Sequence, residues 1–359
     1  MKKYNVGIIG ATGMVGQRFI TLLQNHPYFN IKLLAASSQS AGLKYSDAVN
    51  NRWKMKEEIP FNIKDMIVYD AIKDKEYIAS NVDFVFCAVN MKKDEIKSLE
   101  EAYALLECPV VSNNSANRGV SDIPMVIPEI NASHIEVIKS QRERLGTKRG
   151  FITVKSNCSL QSYVPLLAPL LKFGVEEVFC STYQAISGAG KTFETFPEII
   201  DNTIPFISGE EEKSEVEPLK IFGIVKDGHI VNNNTIKISA QCVRVAVSDG
   251  HLATVAVKFK NKPTIEEILS CWKNYKGLPQ ELNLPSAPKQ FITYLEDDNR
   301  PQPKLDRDIY NGMGITCGRL REDNIFDYKF VGLSHNTIRG AAGGAILLAE
   351  LLAVKGYFD

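Results

Sequence analysis

The chain opens on an apolar run, "NVGII" at 5 to 9, passes through a cluster of glycines and then changes period. Val15, Phe19, Leu22 and Leu23 recur at the spacing of one helix face, which predicts a buried strand feeding an amphipathic helix. The apolar runs "IKLLAASS" (31–38), "VDFVFCAV" (82–89) and "PVVSNN" (109–114) continue the alternation, with helix-like stretches between them. Strand and helix in alternation predict an α/β arrangement, a doubly wound parallel sheet. Beyond residue 157 the pattern shifts to longer β-rich runs: "EEVFCSTYQAIS", "TIKISAQCVRVAVSDGHLATVAVKFK", "KQFITYL" and "MGITCGRL". Consecutive strands with alternating faces predict a second, α+β unit with a mainly antiparallel sheet, in which "VRVAVSDGHLATVAV" reads as a hairpin. The final "GAAGGAILLAELLAVKGY" reads as one helix that folds back on the first unit.

Composition narrows the partners. At 359 residues and 44% hydrophobic content the chain can bury two cores. Forty-two basic and 42 acidic residues cancel, so no basic field points to nucleic acid or to an anionic membrane. The longest apolar runs fall short of the roughly 20 residues of a spanning helix. The N-terminus reads as a strand rather than a signal peptide, which together predict a cytoplasmic protein. The cysteines number seven and form no CxxC pair; Cys87, Cys180 and Cys317 sit in β-rich runs as small hydrophobes, so neither a disulfide frame nor a metal site is expected.

The glycine cluster carries the first chemistry. Gly10 permits a tight turn, Gly13 lets the backbone approach a pyrophosphate, and Gly16 lets the helix pack on the strand. An NAD-specific unit ends its second strand on an acid; here the place reads "ASSQSAGLK", and Ser37, Ser38, Ser40 and Lys44 are donors suited to a 2′-phosphate. NADP is therefore the expected cofactor, with an ordinary serine-rich loop as the competing reading.

Cys158 carries the second. In "VKSNCSLQSYV" it is surrounded by Ser156, Asn157, Ser159 and Gln161, an unusually polar setting for a core cysteine. Leu160, Val164, Leu167 and Leu171 follow at helical spacing, which predicts Cys158 on a helix N-terminus, its pKa lowered by the dipole. A thiolate beside a nicotinamide implies hydride chemistry at a carbon attached to sulfur, and such a site needs a proton shuttle. Of the five histidines, His251 lies in the β-hairpin context beside Arg244. A buried inert cysteine and a histidine on a surface turn remain the competing readings of these two residues.

The motifs "GIIGATGMVGQRF", "SNCSLQ", "YQAISGAGK", "CVRVAVSDGH" and "HNTIRGAAGG", in this order, resemble aspartate-β-semialdehyde dehydrogenases of the archaeal and fungal type from residue 5 to about 356. The resemblance implies an NADP-binding domain at 1–157, completed by a C-terminal helix at 337–359, and a catalytic and oligomerisation domain at 158–336. It implies NADP-dependent reductive dephosphorylation of L-4-aspartyl phosphate to aspartate semialdehyde, in lysine, threonine, methionine and isoleucine biosynthesis, by a homodimer or homotetramer. Residue by residue it implies Cys158 as nucleophile, His251 as general acid/base and Gln184 orienting the acyl group. Arg244 would grip the α-carboxylate, Glu210 the amino group (with Glu211 and Glu212 as alternatives), Lys213 and Arg118 the phosphate, and Asn157 would lie on the substrate side. The cofactor would meet Gly10, Thr12, Gly13, Met14, Val15, Ser187, Gly188 and Asn336 besides the strand-2 serines. Two departures stand out: Ser-Gln-Ser replaces an arginine-serine pair after strand 2, and Cys-Ser-Leu-Gln replaces Cys-Thr-Thr at the nucleophile. A malonyl-CoA reductase on the same scaffold and a catalytically silent NADP-binding regulator are the rival functions; N-acetylglutamyl-phosphate reductase shares the chemistry with different motifs.

Overall fold

Strands β1 (Tyr4–Ile9), β2 (Phe29–Ala36), β3 (Val68–Asp70), β4 (Phe84–Cys87), β5 (Val110–Ser112) and β6 (Ile152–Val154) form one sheet in the computed structural model, which describes residues 2–359. Every neighbouring pair is parallel, in the order β3-β2-β1-β4-β5-β6. The order reverses between β1 and β4, and a crevice at such a switch point is where open α/β sheets bind ligands. Gly10 turns the chain there with φ +90°, and a Cβ would lie 2.4 Å from the Ala88 carbonyl oxygen just past β4. Gly16 is equally constrained, because a Cβ would stand 2.2 Å from the Gly10 oxygen, so the helix Met14–Leu22 presses directly on the turn.

The short β3 escaped the sequence reading, since three residues cannot display a period. The C-terminal stretch also differs from one continuous helix: Ile338–Ala342 form a π-type turn broken at Ala341, and the α-helix runs Gly343–Val354. Residues Gly343 through Ala353 of that helix are all buried, as befits a helix apolar on every face. It packs in the core of the first sheet, and beyond it Phe358 stacks on Phe84 with centroids 4.1 Å apart. Its one carboxylate, Glu350, lies 2.9 Å from His26 Nε2 and accepts the backbone N–H of Ser286 at 3.0 Å.

The second sheet begins with β7 (Val175–Gln184) and β8 (Thr203–Ile204); a separate hairpin pairs β9 (Ile224–Lys226) with β10 (His229–Val231). Strands β11 (Lys237–Val245), β12 (His251–Phe259), β13 (Ile292–Leu295), β14 (Ile315–Glu322) and β15 (Tyr328–Ser334) complete the seven-stranded order β13-β14-β15-β12-β7-β11-β8. The sheet is mixed and mostly antiparallel; β7–β11 and β13–β14 are its parallel pairs. The expected hairpin of β11 with β12 does not form. The strand β7 lies between them, parallel to one and antiparallel to the other. Alternation in sequence fixes which face a side chain takes, not which strand is its neighbour. The consequence is functional: Arg244 pairs in register with Gln184, and Leu252, next to His251, pairs with Tyr183, so three candidate residues gather at one end of β7.

One apolar cluster continues from the first sheet through Leu160, Tyr163 and Leu166 to Val255 and Phe330 of the second, so the segment after Cys158 is the joint between the two sheets. Among the described residues, no helix is long and apolar enough to cross a membrane.

Candidate active site

Two cavities meet in the crevice. One, about 430 Å³, is lined by Gly10, Thr12, Gly13, Ser37, Ser38 and Lys73, among others. The other, about 350 Å³, holds Val15, Cys158, Ser187, Gly188, Glu210, Lys213, Arg118, Asn157 and Asn336. Val89, Asn90 and Met91 line both, so one trough runs from the glycine turn to the cysteine. A dinucleotide fits the first part. The helix Met14–Leu22 has no side-chain cap at Gly13, which leaves its first amides for a pyrophosphate. At Gly13 a Cβ would meet nothing nearer than 3.5 Å, so this glycine answers to what enters the trough rather than to the protein around it.

Two expected cofactor contacts lie elsewhere. Lys44 pairs with Asp65 at 3.0 Å, outside the trough. Ser40 is buried in its own turn, its N–H donating to the Ser37 oxygen. Met14 keeps its place through the backbone, as the first residue of the helix whose opening amides are uncapped. Lys73, from the loop after β3, is the cation that does line the trough beside Ser37 and Ser38. No local sequence pattern marks it, because β3 itself was not legible.

Cys158 is half-buried at the far end, with Sγ 3.4 Å from His251 Nε2. The helix expected to begin there is broken: a 3₁₀ turn covers Ser159–Ser162, one α-turn Val164–Leu167, and another 3₁₀ turn Ala168–Phe173. Pro165 and Pro169 each remove an amide and place their rings against the preceding turn, so the helical spacing of the leucines serves core packing rather than a continuous helix. The dipole expected to lower the thiol pKa is therefore absent. Burial, with the Glu210 carboxylate, pushes the thiol up, and Lys155, Arg118 and Arg244 oppose this.

His251 is fully buried at the start of β12. Its Nδ1 accepts the Ala185 N–H at 3.0 Å; a backbone amide can only donate, so the neutral ring carries its proton on Nε2, facing the sulfur. Burial, together with the nearby Arg244, His335 and Lys155, holds the imidazole well below its usual pKa. Asn336 braces the loop before it, accepting the Gly250 N–H at 2.8 Å and donating to Ser187 Oγ at 2.9 Å. Gly188 makes room: a Cβ there would stand 3.1 Å from His251 Nε2 and 3.2 Å from Arg244 Nη1.

The acidic stretch forms the helix Glu210–Ile221, and it separates the three consecutive glutamates by direction. Glu210 is the buried one, receiving Asn157 Nδ2 at 3.0 Å, Gln184 Nε2 at 3.2 Å and Lys213 Nζ at 2.7 Å. Burial opposes its ionisation, but Lys213 and these hydrogen bonds outweigh burial and lower its pKa. Glu211 instead accepts the Cys242 N–H, and Glu212 is exposed. Arg118 donates to Glu217 Oε1 at 2.9 Å, while the other oxygen of Glu217 accepts the Asn157 N–H at 2.7 Å. Glu217 was missed in the sequence, although Glu210, Ser214 and Glu217 recur at the spacing of one helix face. Arg244 donates one Nη1–H to the Ala185 oxygen at 2.7 Å, and no carboxylate of the described residues pairs with it.

Comparison with known proteins accords with this arrangement. Residues 5–138 match the semialdehyde dehydrogenase NAD binding domain and residues 167–339 the semialdehyde dehydrogenase dimerisation domain. Aspartate-semialdehyde dehydrogenase of Schizosaccharomyces pombe is 44% identical over 98% of both chains. That of Methanothermobacter thermautotrophicus is 41% identical over 97% of this chain and 98% of its own. A crystal structure of aspartate semialdehyde dehydrogenase with NADP from Candida albicans superimposes with TM-score 0.88 and 41% identity, covering 99% of this chain and 100% of that one. The chain therefore belongs to the aspartate-semialdehyde dehydrogenase family.

Proposed function

We propose that this enzyme reduces L-4-aspartyl phosphate to L-aspartate 4-semialdehyde with NADPH, reversibly, through a thioester on Cys158. The observation that carries the reading is the Sγ–Nε2 approach of 3.4 Å in a trough continuous with the dinucleotide crevice. Cys158 as thiolate attacks the acyl carbon and phosphate departs, leaving the acyl group on sulfur. Bound NADPH supplies the hydride that takes the thioester to the aldehyde level. His251 offers its Nε2–H as a hydrogen bond first to the sulfur and then to the acyl oxygen as negative charge develops there. Collapse returns the thiolate and the aldehyde, so the neutral ring stabilises charge without giving up its proton, in place of the general acid/base transfer expected of it.

The remaining residues hold substrate. Arg244 presents an otherwise unpaired guanidinium fork to the α-carboxylate. Glu210 faces the amino group, Gln184 and Asn157 fix that carboxylate and stand beside the acyl group, and Lys213 with Arg118 receives the phosphate. On the cofactor side Gly10, Thr12, Gly13 and Val15 face the dinucleotide, Ser37 and Ser38 with Lys73 take the 2′-phosphate end, and Ser187, Gly188 and Asn336 the nicotinamide end. We assign 1–157 with 337–359 to the nucleotide-binding domain and 158–336 to the catalytic domain. Phe179 and Phe206, exposed on the single chain, support assembly through the second domain, as a homodimer or homotetramer in the cytoplasm.

Incubation with aspartate semialdehyde and NADP should generate NADPH only when phosphate is present, whereas malonyl-CoA with NADPH should give no turnover. Preference for the CoA thioester would overturn the substrate assignment. Arg244→Lys should raise KM for aspartate semialdehyde roughly 10- to 100-fold, because a point ammonium loses one of two parallel hydrogen bonds, on the scale of a charged bond. An unchanged KM would remove Arg244 from the carboxylate.

A further inference from the structure

We propose that Lys155 is the counter-charge with which Cys158 ionises, a positioning role that rests on Cys158 being the nucleophile. Lys155 leaves β6 three residues ahead of the cysteine, anchored by its N–H to the Ser112 oxygen at 2.9 Å. Its side chain is 3% exposed, and its ammonium donates to the Ser156 carbonyl. Among the described residues no carboxylate forms an ion pair with it. A buried ammonium without an anion is costly unless its charge is met or lost.

The fold makes room for this lysine beside the thiol. Gly340 and Gly344 lie four residues apart at the entry to the last helix. A Cβ at Gly340 would stand 2.9 Å from Cys158 Cβ, and one at Gly344 would stand 3.4 Å from Lys155 Cε. The "GAAGG" motif thus seats both side chains against one wall.

The charges around the lysine are Cys158 on its own loop, Arg118 after β5, Glu217 on the helix Glu210–Ile221 and Arg339 in the turn before the last helix; His251 on β12 also senses it. Burial pushes the Lys155 pKa down to about 7, and the cysteine charge is the strongest influence restoring it, ahead of Glu217. The effect is mutual, since Lys155 is the first of the cations that lower the thiol. His251 is poorly suited to the same task. Taking the thiol proton would require a hydrogen on both ring nitrogens, and Nδ1 already faces the Ala185 N–H.

In the step assigned, the S–H bond breaks, its electron pair stays on sulfur and the proton leaves to solvent through the trough, while Lys155 keeps its ammonium. A thiolate–ammonium pair then stands in a site that would resist either charge alone.

The test titrates the sulfur directly. Iodoacetamide alkylation of the Cys158 peptide, followed by mass spectrometry against pH in a Cys271→Ser background, reports thiolate formation. Lys155→Met should move the midpoint up by at least about one unit and slow alkylation at pH 7 about tenfold, with NADP affinity kept as the sign of folding. Lys155→Arg, whose charge cannot be lost, should keep the midpoint at or below that of the parent. Folded Lys155→Met with an unmoved midpoint would overturn the proposal; should the methionine variant fail to bind NADP, Lys155→Arg with a midpoint raised by a unit would do so. Activity of Cys158→Ala decides the nucleophile reading separately, since alkylation measures ionisation whether or not the sulfur is used in turnover.

Discussion

Cys158→Ala should lower turnover by roughly 10⁴-fold or more, the scale on which covalent catalysts lose rate with their nucleophile, while NADP binding stays within about twofold. The split follows from geometry. The residues proposed to hold the adenosine and pyrophosphate line the cavity at the Gly10 turn, and Cys158 lines the other. The half-buried cysteine makes one side-chain hydrogen-bonding contact, to His251, so removing Sγ disturbs little packing. Without sulfur there is no group on which to park the acyl portion, and phosphate release should vanish with NADPH oxidation instead of outrunning it. Mass spectrometry of the parent enzyme mixed with substrate in the absence of reductant should show an acyl adduct on the Cys158 peptide. Substantial turnover by the alanine variant, or an adduct on another residue, would end the thioester mechanism.

The nucleotide crevice was legible because its determinants are local. A strand, a glycine turn and a helix occupy one stretch of some twenty residues, and the steric demands at Gly10 and Gly16 arise within it or from the next strand. Cys158 was legible from its polar neighbours, although the reason first given for its reactivity, a helix N-terminus, fails on Pro165 and Pro169. What could not be seen depends on distant segments. The insertion of β7 between β11 and β12 is a matter of sheet pairing, and it is what gathers Gln184, Arg244 and the His251 end of β12. Lys73, Lys155 and Glu217 are ordinary charged residues in sequence; only their placement against the trough, the thiol and Arg118 gives them a part. Lys44, a better candidate by sequence, is drawn off by Asp65.

Arg339→Met should cost about 3–5 kcal/mol of stability, the penalty for stranding one member of a buried ion pair. Arg339 is 1% exposed, and its guanidinium grips Glu129 with both ends, Nη1–Oε1 at 2.7 Å and Nη2–Oε2 at 2.5 Å. The Glu129 side chain is itself without solvent exposure, so its carboxylate has no water to fall back on. Nε donates to Gln161 Oε1 at 3.0 Å, and the ring of Phe291 lies 4.8 Å beneath the guanidinium. Gln161 in turn donates to Ser156 Oγ at 3.0 Å, so the same arginine steadies the loop on both sides of Cys158. The loss should therefore appear twice, as a lower urea midpoint and as a reduced kcat in protein that still binds NADP. Glu129→Leu combined with Arg339→Met removes both charges, and most of the stability should return, because a neutral pair of similar bulk no longer buries an unmet carboxylate. The kcat defect should persist in the double variant, since Gln161 still lacks its donor. Equal stability of the single and double variants would show that the carboxylate is not stranded, and the stabilising role given to this pair would fall.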